Sequence, residues 1–218
     1  YTAKNIVVGG KSVTTSNHTA RMAGLIEGTP LHQSITFATL SDVDSIEKTV
    51  DVLKREGVVI IPTDTVYGFS GVVDFTKSKI QKIKGRDENK PFIQLISKPE
   101  DILAISKDKI PEKLLNYWPG PLTIIVESVN GGTVAVRCPG DLWLRQIIEQ
   151  TGVIYSTSVN RSGLPVLEDV DSIIQEFEND VELIVLDGDK YNSVPSTIVS
   201  FVNSEFKVIR QGSLVVDL

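Results

Sequence analysis

After residue 40 this 218-residue chain contains no histidine, and its one cysteine, Cys138, stands alone. Both histidines, His18 and His32, fall in the first forty residues. Residues 41–218 therefore hold no Cys/His zinc set and no Ser–His or Cys–His nucleophilic pair. A single thiol forbids an intrachain disulfide, so a reducing cytoplasm is the expected setting. No apolar run approaches the ~20 residues of a membrane helix. The first thirty residues lack a basic start followed by an apolar block, and no signal peptide is expected. Neither GxxxxGK[ST] nor GxGxxG occurs, so any phosphate must be held by other means. Cations are outnumbered too: 22 Lys and Arg against 28 Asp and Glu give a net charge of −6, which argues against broad, sequence-independent nucleic-acid binding. Chemistry in 41–218 must run on hydroxyls, carboxylates, Lys, Arg and backbone amides.

What is present is organised around residues 57–71, GVVIIPTDTVYGFSG. Gly57 opens a β-branched run, Val58 to Ile61, and Pro62 closes it because proline cannot donate to a ladder. Such a run reads as a short strand buried on both faces. Thr63, Asp64, Thr65 and Tyr67 follow at its carboxyl end, where open α/β sheets usually hold a ligand. The same loop also reads as a solvated strand-to-helix turn with Asp64 as a cap.

Along the rest of the chain, Ser41 and Asp44 form a helix start signal, followed by Val43, Ile46, Val50 and Leu53 at helical spacing to about Glu56. A helix is predicted over 76–84, with Ile80 and Ile83 inward and Gly85 as its C-terminal cap. FIQLI (92–96) reads as a strand. Ser97 with Glu100, and Pro99 in the first turn, mark a short helix. Pro111 starts another, ending near Trp118. The corner Trp118-Pro119-Gly120-Pro121 leads into a hairpin, LTIIV and TVAVR, turning at Asn130-Gly131-Gly132. DLWLRQIIEQ is helical to Gly152, VIYSTS a strand, 169–178 a helix, ELIVL a strand, and STIVSFV with FKVIRQG a terminal strand pair. Residues 1–40 are rich in threonine, show no helical periodicity and suggest only a hairpin about Gly9 and Gly10. They read as an appendage of unread role beside one α/β domain at 41–218: a single mixed, twisted sheet with flanking helices.

Hydroxyls and basic groups recur at strand ends: Thr63 and Thr65, Lys84 and Arg86, Arg137, Ser156 and Ser158, then Ser196-Thr197 and Arg210. Together they suit an anionic ligand with several phosphate oxygens. Each also has a plainer reading. Lys84 and Arg86 can complement a helix C-terminus, Arg137 can be a rim ion pair, and the serines can be edge hydroxyls. On a continuing helix Lys84 and Arg86 would point about 200° apart. If Gly85 breaks the helix they lie ~6.5–7 Å apart on one face and can enter one pocket with Thr63 and Arg210.

In order, PTDTVYG, KGRDENKP, WPGPLT, VRCP, STSVNRSG, PSTIV and RQG resemble the signature series of the threonylcarbamoyl-AMP synthase family, the YrdC/Sua5 proteins. The resemblance covers about residues 42–213, is to the short form, without the C-terminal domain of longer members, and implies a concave basic pocket on the sheet. It implies synthesis of threonylcarbamoyl-adenylate and pyrophosphate from L-threonine, bicarbonate and ATP, for the t6A modification of tRNA. It implies catalytic roles for Lys84 and Arg86; L-threonine contacts from Thr63, Arg137, Ser156 and Ser196; and ATP contacts from Arg86, Lys90, Thr133, Ser158 and Arg210. Mg²⁺ would arrive with ATP and have no protein ligands, with Asp64 as distant support. The partners implied are the downstream threonylcarbamoyl transferase machinery and, indirectly or weakly, tRNA, with no membrane. The chain departs from the family pattern at Val159 for alanine, Gln211 for proline, and Leu95 where long members often carry histidine.

This chemistry suits the inventory. An N-carboxythreonine carboxylate attacking the α-phosphorus of ATP brings two anions together, and preorganised Lys and Arg can do that without a histidine base. Two alternatives share the fold: an RNA-binding module, and a carbamoyl-adenylate-handling domain of the kind inside hydrogenase maturation carbamoyltransferases.

Overall fold

In a computed structural model, which describes residues 6–8, 11–13, 35–85 and 91–217, the chain builds a ten-stranded mixed sheet covered by helices on both faces. The first two strands, β1 (Ile6–Val8) and β2 (Lys11–Val13), pair antiparallel, outside that sheet. The sheet itself contains β3 (Thr36–Thr39), β4 (Val59–Ile61), β5 (Gly68–Val72), β6 (Ile93–Leu95), β7 (Leu122–Glu127), β8 (Thr133–Arg137), β9 (Ile154–Ser158), β10 (Leu183–Leu186), β11 (Thr197–Val202) and β12 (Glu205–Arg210). Its order is β12-β11-β7-β8-β6-β9-β5-β4-β10-β3.

The β-branched run does become a strand inside the sheet, and its two faces feed two cores. Val59 and Ile61 pack with Val50 and Leu53 of helix α1 (Ser45–Lys54) and with Leu144 and Ile147 of helix α4 (Leu142–Thr151). Ile60 points the other way, to Ile80 of helix α2 (Lys77–Lys84) and to Ile173 and Phe177 of helix α5 (Val170–Phe177). β10 repeats the division, Leu183 and Val185 on one side and Ile184 and Leu186 on the other. That is the two-residue period of a strand buried on both faces. A third core gathers Leu114 of the short helix α3 (Glu112–Leu115), Trp118, Leu122, Ile124, Val136 and Val199.

Several expectations hold in detail. The hairpin β7–β8 pairs Ile124 with Val136. Helix α2 ends at Lys84, and Gly85 takes the left-handed conformation (φ 61°) that glycine adopts without cost. At the Trp118–Gly120 corner a Cβ on Gly120 would lie 2.6 Å from the Tyr117 carbonyl oxygen, so only glycine fits.

Four expectations need correction. Residues 1–40 are not wholly an appendage: β3 forms the sheet edge, pairing parallel with β10 from Thr36↔Leu183 to Thr39↔Leu186. The loop after β4 does not lead to a helix but turns back into β5, antiparallel to β4. At the start of α1 it is Asp42 that binds Thr39, accepting from its backbone N–H and hydroxyl at 2.8 Å each; the backbone bond is the larger cause of a carboxyl held below its usual range. Asp44 makes no side-chain cap, and Val43 is exposed rather than part of the apolar stripe. In the 3₁₀ helix Pro99–Ala104, Asp101 rather than Glu100 accepts from the Lys98 N–H and the Ser97 hydroxyl.

Candidate functional site

The carboxyl end of β4, the ends of β8 and β9 and the loop before β11 converge on a cavity of about 500 Å³. Thr63, Thr65, Arg137, Ser156, Ser158, Ser196 and Arg210 all line it, so side chains scattered over nearly 150 positions are brought together. Glu168 and Ser193, which sequence reasoning missed, line it as well.

Arg137 is the buried anchor, only 4 % exposed. One terminal nitrogen pairs with Asp64 Oδ1, and the other donates to Thr65 Oγ1 at 3.0 Å. The second Asp64 oxygen accepts from the Gly140 N–H at 2.8 Å, tying the loop after β8 to the loop after β4. Burial pushes the Arg137 pKa down and the Asp64 carboxylate opposes that. Asp64 is therefore not a helix cap; it holds the arginine.

A relay of hydroxyls continues from this pair. Thr63 Oγ1 donates to the Val66 carbonyl at 2.7 Å, so the 3.0 Å bond it shares with Thr65 Oγ1 must use the Thr65 proton. The Thr65 N–H also reaches Thr63 Oγ1, at 3.1 Å. The one proton and both lone pairs of the Thr63 hydroxyl are thus committed. Thr63 orients Thr65 and the loop, and offers the cavity no spare hydroxyl.

Across the cavity, Arg210 donates from Nε and Nη2 to the Ser196 carbonyl at 3.2 and 2.8 Å. Ser196 Oγ shares a 2.7 Å hydrogen bond with the buried Thr123 hydroxyl, which fixes the strap before β11 to β7. The Arg210 pKa is lowered, first by partial burial and then by repulsion from Arg137. Two guanidiniums that repel each other across a shared cavity favour an anion between them. Ser156 Oγ makes no hydrogen bond among the described residues, and it lies where a Cβ on Gly68 would come within 2.9 Å of it.

The expectation that Lys84 enters the same cavity as Thr63 and Arg210 is not met. The helix does stop there, but the ammonium is buried at 2 % exposure and is not in the cavity wall. It donates to the carbonyls of Ser158 (2.5 Å) and Asn160 (3.1 Å) and to Asn160 Oδ1 (2.8 Å). Asn160 Oδ1 also accepts from the Ser158 hydroxyl at 2.9 Å. A buried cation needs acceptors, and the turn after β9 supplies them. Thr133 is likewise not brought to this cavity. It lies at the far end of β8 from Arg137, ~13 Å along the strand, and lines a neighbouring concavity that meets this one at Pro91 and Phe92. Arg86 and Lys90 lie outside the described residues. Cys138 is buried, its thiol pushed up to about 11 by burial, which rules it out as a thiolate nucleophile near neutral pH.

This arrangement can hold a carboxylate or phosphate between Arg137 and Arg210 while Ser156 and Ser193 supply hydrogen bonds. A family profile, Sua5_yciO_yrdC, described as "Telomere recombination", matches residues 51–212, which include every one of these residues. The chain belongs to the Sua5/YciO/YrdC family. Its similarity extends to the threonylcarbamoyl-AMP synthase of Pyrococcus abyssi, 30% identical over 177 residues, covering 73% of this chain and 52% of that one. The threonylcarbamoyl-AMP synthase of Bacillus subtilis is 29% identical over 185 residues, covering 78% and 54%. The chain thus spans about half the length of these two relatives. Among solved structures, P. abyssi Sua5 complexed with L-threonine superposes with a TM-score of 0.73 at 25% identity, covering 83% of this chain and 58% of that one. Escherichia coli YciO, with a TM-score of 0.70 at 20% identity and coverage of 82% and 94%, shares the fold.

Proposed function

We propose that this chain is a threonylcarbamoyl-AMP synthase, a nucleotidyltransferase that forms threonylcarbamoyl-adenylate and pyrophosphate from L-threonine, bicarbonate and ATP. The observation that carries it is the shared cavity: two mutually repelling arginines, Arg137 and Arg210, with open serine hydroxyls, at strand ends that lie within the family match. The relative whose structure holds L-threonine superposes over 83% of this chain.

In this reading Arg137, held by Asp64 and Thr65, receives the threonine carboxylate, and Ser156 and Ser196 help to place the amino acid. Arg210 and Ser158 face the nucleotide, together with Arg86 and Lys90 from the segment after α2. N-carboxythreonine and ATP are both anions, so the work of the site is to hold them against repulsion and to stabilise charge moving toward the leaving pyrophosphate. No histidine or thiol is required. Mg²⁺ accompanying the nucleotide would supply charge neutralisation to its phosphates, and no side chain of this chain is assigned to hold it. The adenylate would pass to a transferase acting on tRNA, in the cytoplasm. No helix among the described residues is long and apolar enough to cross a membrane.

The deciding experiment is pyrophosphate release from ATP with L-threonine and bicarbonate supplied together and singly. Release should require both. Equal release without threonine would sink the proposal and turn attention to carbamoyl-adenylate handling.

A further inference from the structure

Among the described residues that line the cavity holding Arg137 and Arg210, Glu168 is the only carboxylate. Acids are common in this part of the chain, but the others have local work. Asp169 caps α5, accepting from the Ser172 N–H at 2.8 Å. Asp189 accepts from the Val170 N–H at 2.9 Å, and Asp187 pairs with Lys190 Nζ at 2.7 Å. Glu168 contributes its backbone carbonyl to the Lys190 N–H at 2.7 Å, while its half-buried carboxylate has no hydrogen bond or ion pair among the described residues.

A negative group without a partner among the described residues, in a cavity otherwise built for anions, requires its own explanation. It repels phosphate, so it does not serve the nucleotide end. It matches the one cationic group of a free amino acid. We propose that Glu168 is the receptor for the α-ammonium of the amino-acid substrate, and so determines that the cavity takes an amino acid and not a simple hydroxy acid. The carboxylate of the ligand goes to the arginines, its ammonium to Glu168, and the zwitterion is read at both ends. This rests on the synthase reading for the identity of the amino acid, L-threonine.

The test is calorimetric titration of the full chain and of Glu168→Gln with two ligands, in bicarbonate-free buffer. One is L-threonine; the other is (R)-3-hydroxybutyrate, which keeps the carboxylate and the hydroxyl and lacks the amine. Glu168→Gln should melt with the wild type, because no partner is lost. It should bind L-threonine roughly tenfold or more weakly, the scale of a charge-assisted hydrogen bond, and bind (R)-3-hydroxybutyrate as well as or better than the wild type does. Equal weakening toward both ligands, or unchanged L-threonine affinity, overturns the role of Glu168 while leaving the synthase reading intact. A wild-type chain that does not take L-threonine overturns both.

Discussion

The Nζ of Lys84 lies 2.8 Å from Oδ1 of Asn160, joining the last residue of α2 to the turn that follows β9. The junction is reinforced from both sides. The Ser162 N–H donates to the Lys84 carbonyl at 2.7 Å, and an Arg161 terminal nitrogen donates to the Ile83 carbonyl at 2.5 Å. Ser158, whose carbonyl Lys84 also holds, lines the cavity, so this lysine shapes the site from behind its wall.

Lys84→Met should therefore behave as a stability variant. It keeps the apolar stem and leaves acceptors on Ser158 and Asn160 without their charged donor, a loss of about 1.5–3 kcal/mol. In a chain of this size that lowers the melting temperature by several degrees, at ~2–4 °C per kcal/mol. A variant that melts with the wild type and yet loses turnover would return Lys84 to direct contact with the phosphates.

Arg137→Ala should lower L-threonine affinity ten- to a hundredfold, as expected for a lost charge-assisted carboxylate contact of ~1.5–3 kcal/mol. It should also destabilise the fold by about 3 kcal/mol, because Asp64 is left with a partly buried, unpaired charge. The two losses separate in the double variant Asp64→Ala/Arg137→Ala. Urea unfolding should show part of the stability regained, while threonine affinity stays low. A double variant no more stable than Arg137→Ala would mean that Asp64 is not the ion-pair partner on which the arginine depends.

How much of this was readable in the sequence depended on where each partner lies. β4, β7 and β8 announce themselves locally, by β-branched runs between Gly, Pro and Asn-Gly signals. β5, GFSGV, carries two glycines and no such run; it is a strand because β4 and β9 pair with it on either side. β3, TFAT, is a short edge strand with only its inner end buried, and Thr36–Thr39 is placed by β10, far along the chain. At the site, Arg137 and Arg210 could be proposed from motif and charge. The burial of Lys84 could not, since its acceptors sit more than seventy residues away. Glu168 looked like one acid among many, and only the cavity sets it apart.

The placement of β3 makes part of residues 1–40 a member of the sheet, with a consequence for where the chain can be cut. A chain starting at Ser41 loses Ile35 and Ala38 from the two cores and exposes the edge of β10, whose Leu183 to Val185 are fully buried. An unpaired hydrophobic edge is a site for association with other chains. That truncation should elute as aggregate in size-exclusion chromatography or melt well below the full chain. A chain starting at Ile35, which keeps β3, should melt close to it. A Ser41 start that is monomeric and as stable as the full chain would show that the edge strand adds little.

Gly68 and Ser156 offer the sharpest test of the cavity wall. Gly68 pairs with Ser158 across β5 and β9, and its φ is not in the left-handed region, so alanine is acceptable to the backbone. Its added Cβ would sit 2.9 Å from Ser156 Oγ and 3.6 Å from the Thr157 carbonyl oxygen. The serine hydroxyl is thus the atom that must move, and because it has no partner to lose among the described residues it can rotate, so Gly68→Ala should destabilise by only ~1 kcal/mol, the low end of overpacking. Ser156→Ala alone should barely change stability, since its hydroxyl has no partner among the described residues. It should nevertheless weaken L-threonine by roughly two- to tenfold, the scale of one neutral hydrogen bond. In Gly68→Ala/Ser156→Ala the crowded oxygen is gone, so the destabilisation should largely disappear while threonine affinity stays at the Ser156→Ala level. A double-mutant cycle closed by urea unfolding and calorimetry reads both quantities at once. Additive stability losses would show that Gly68 is required by something other than the Ser156 hydroxyl. Unchanged threonine affinity in Ser156→Ala would remove that hydroxyl from the amino-acid site.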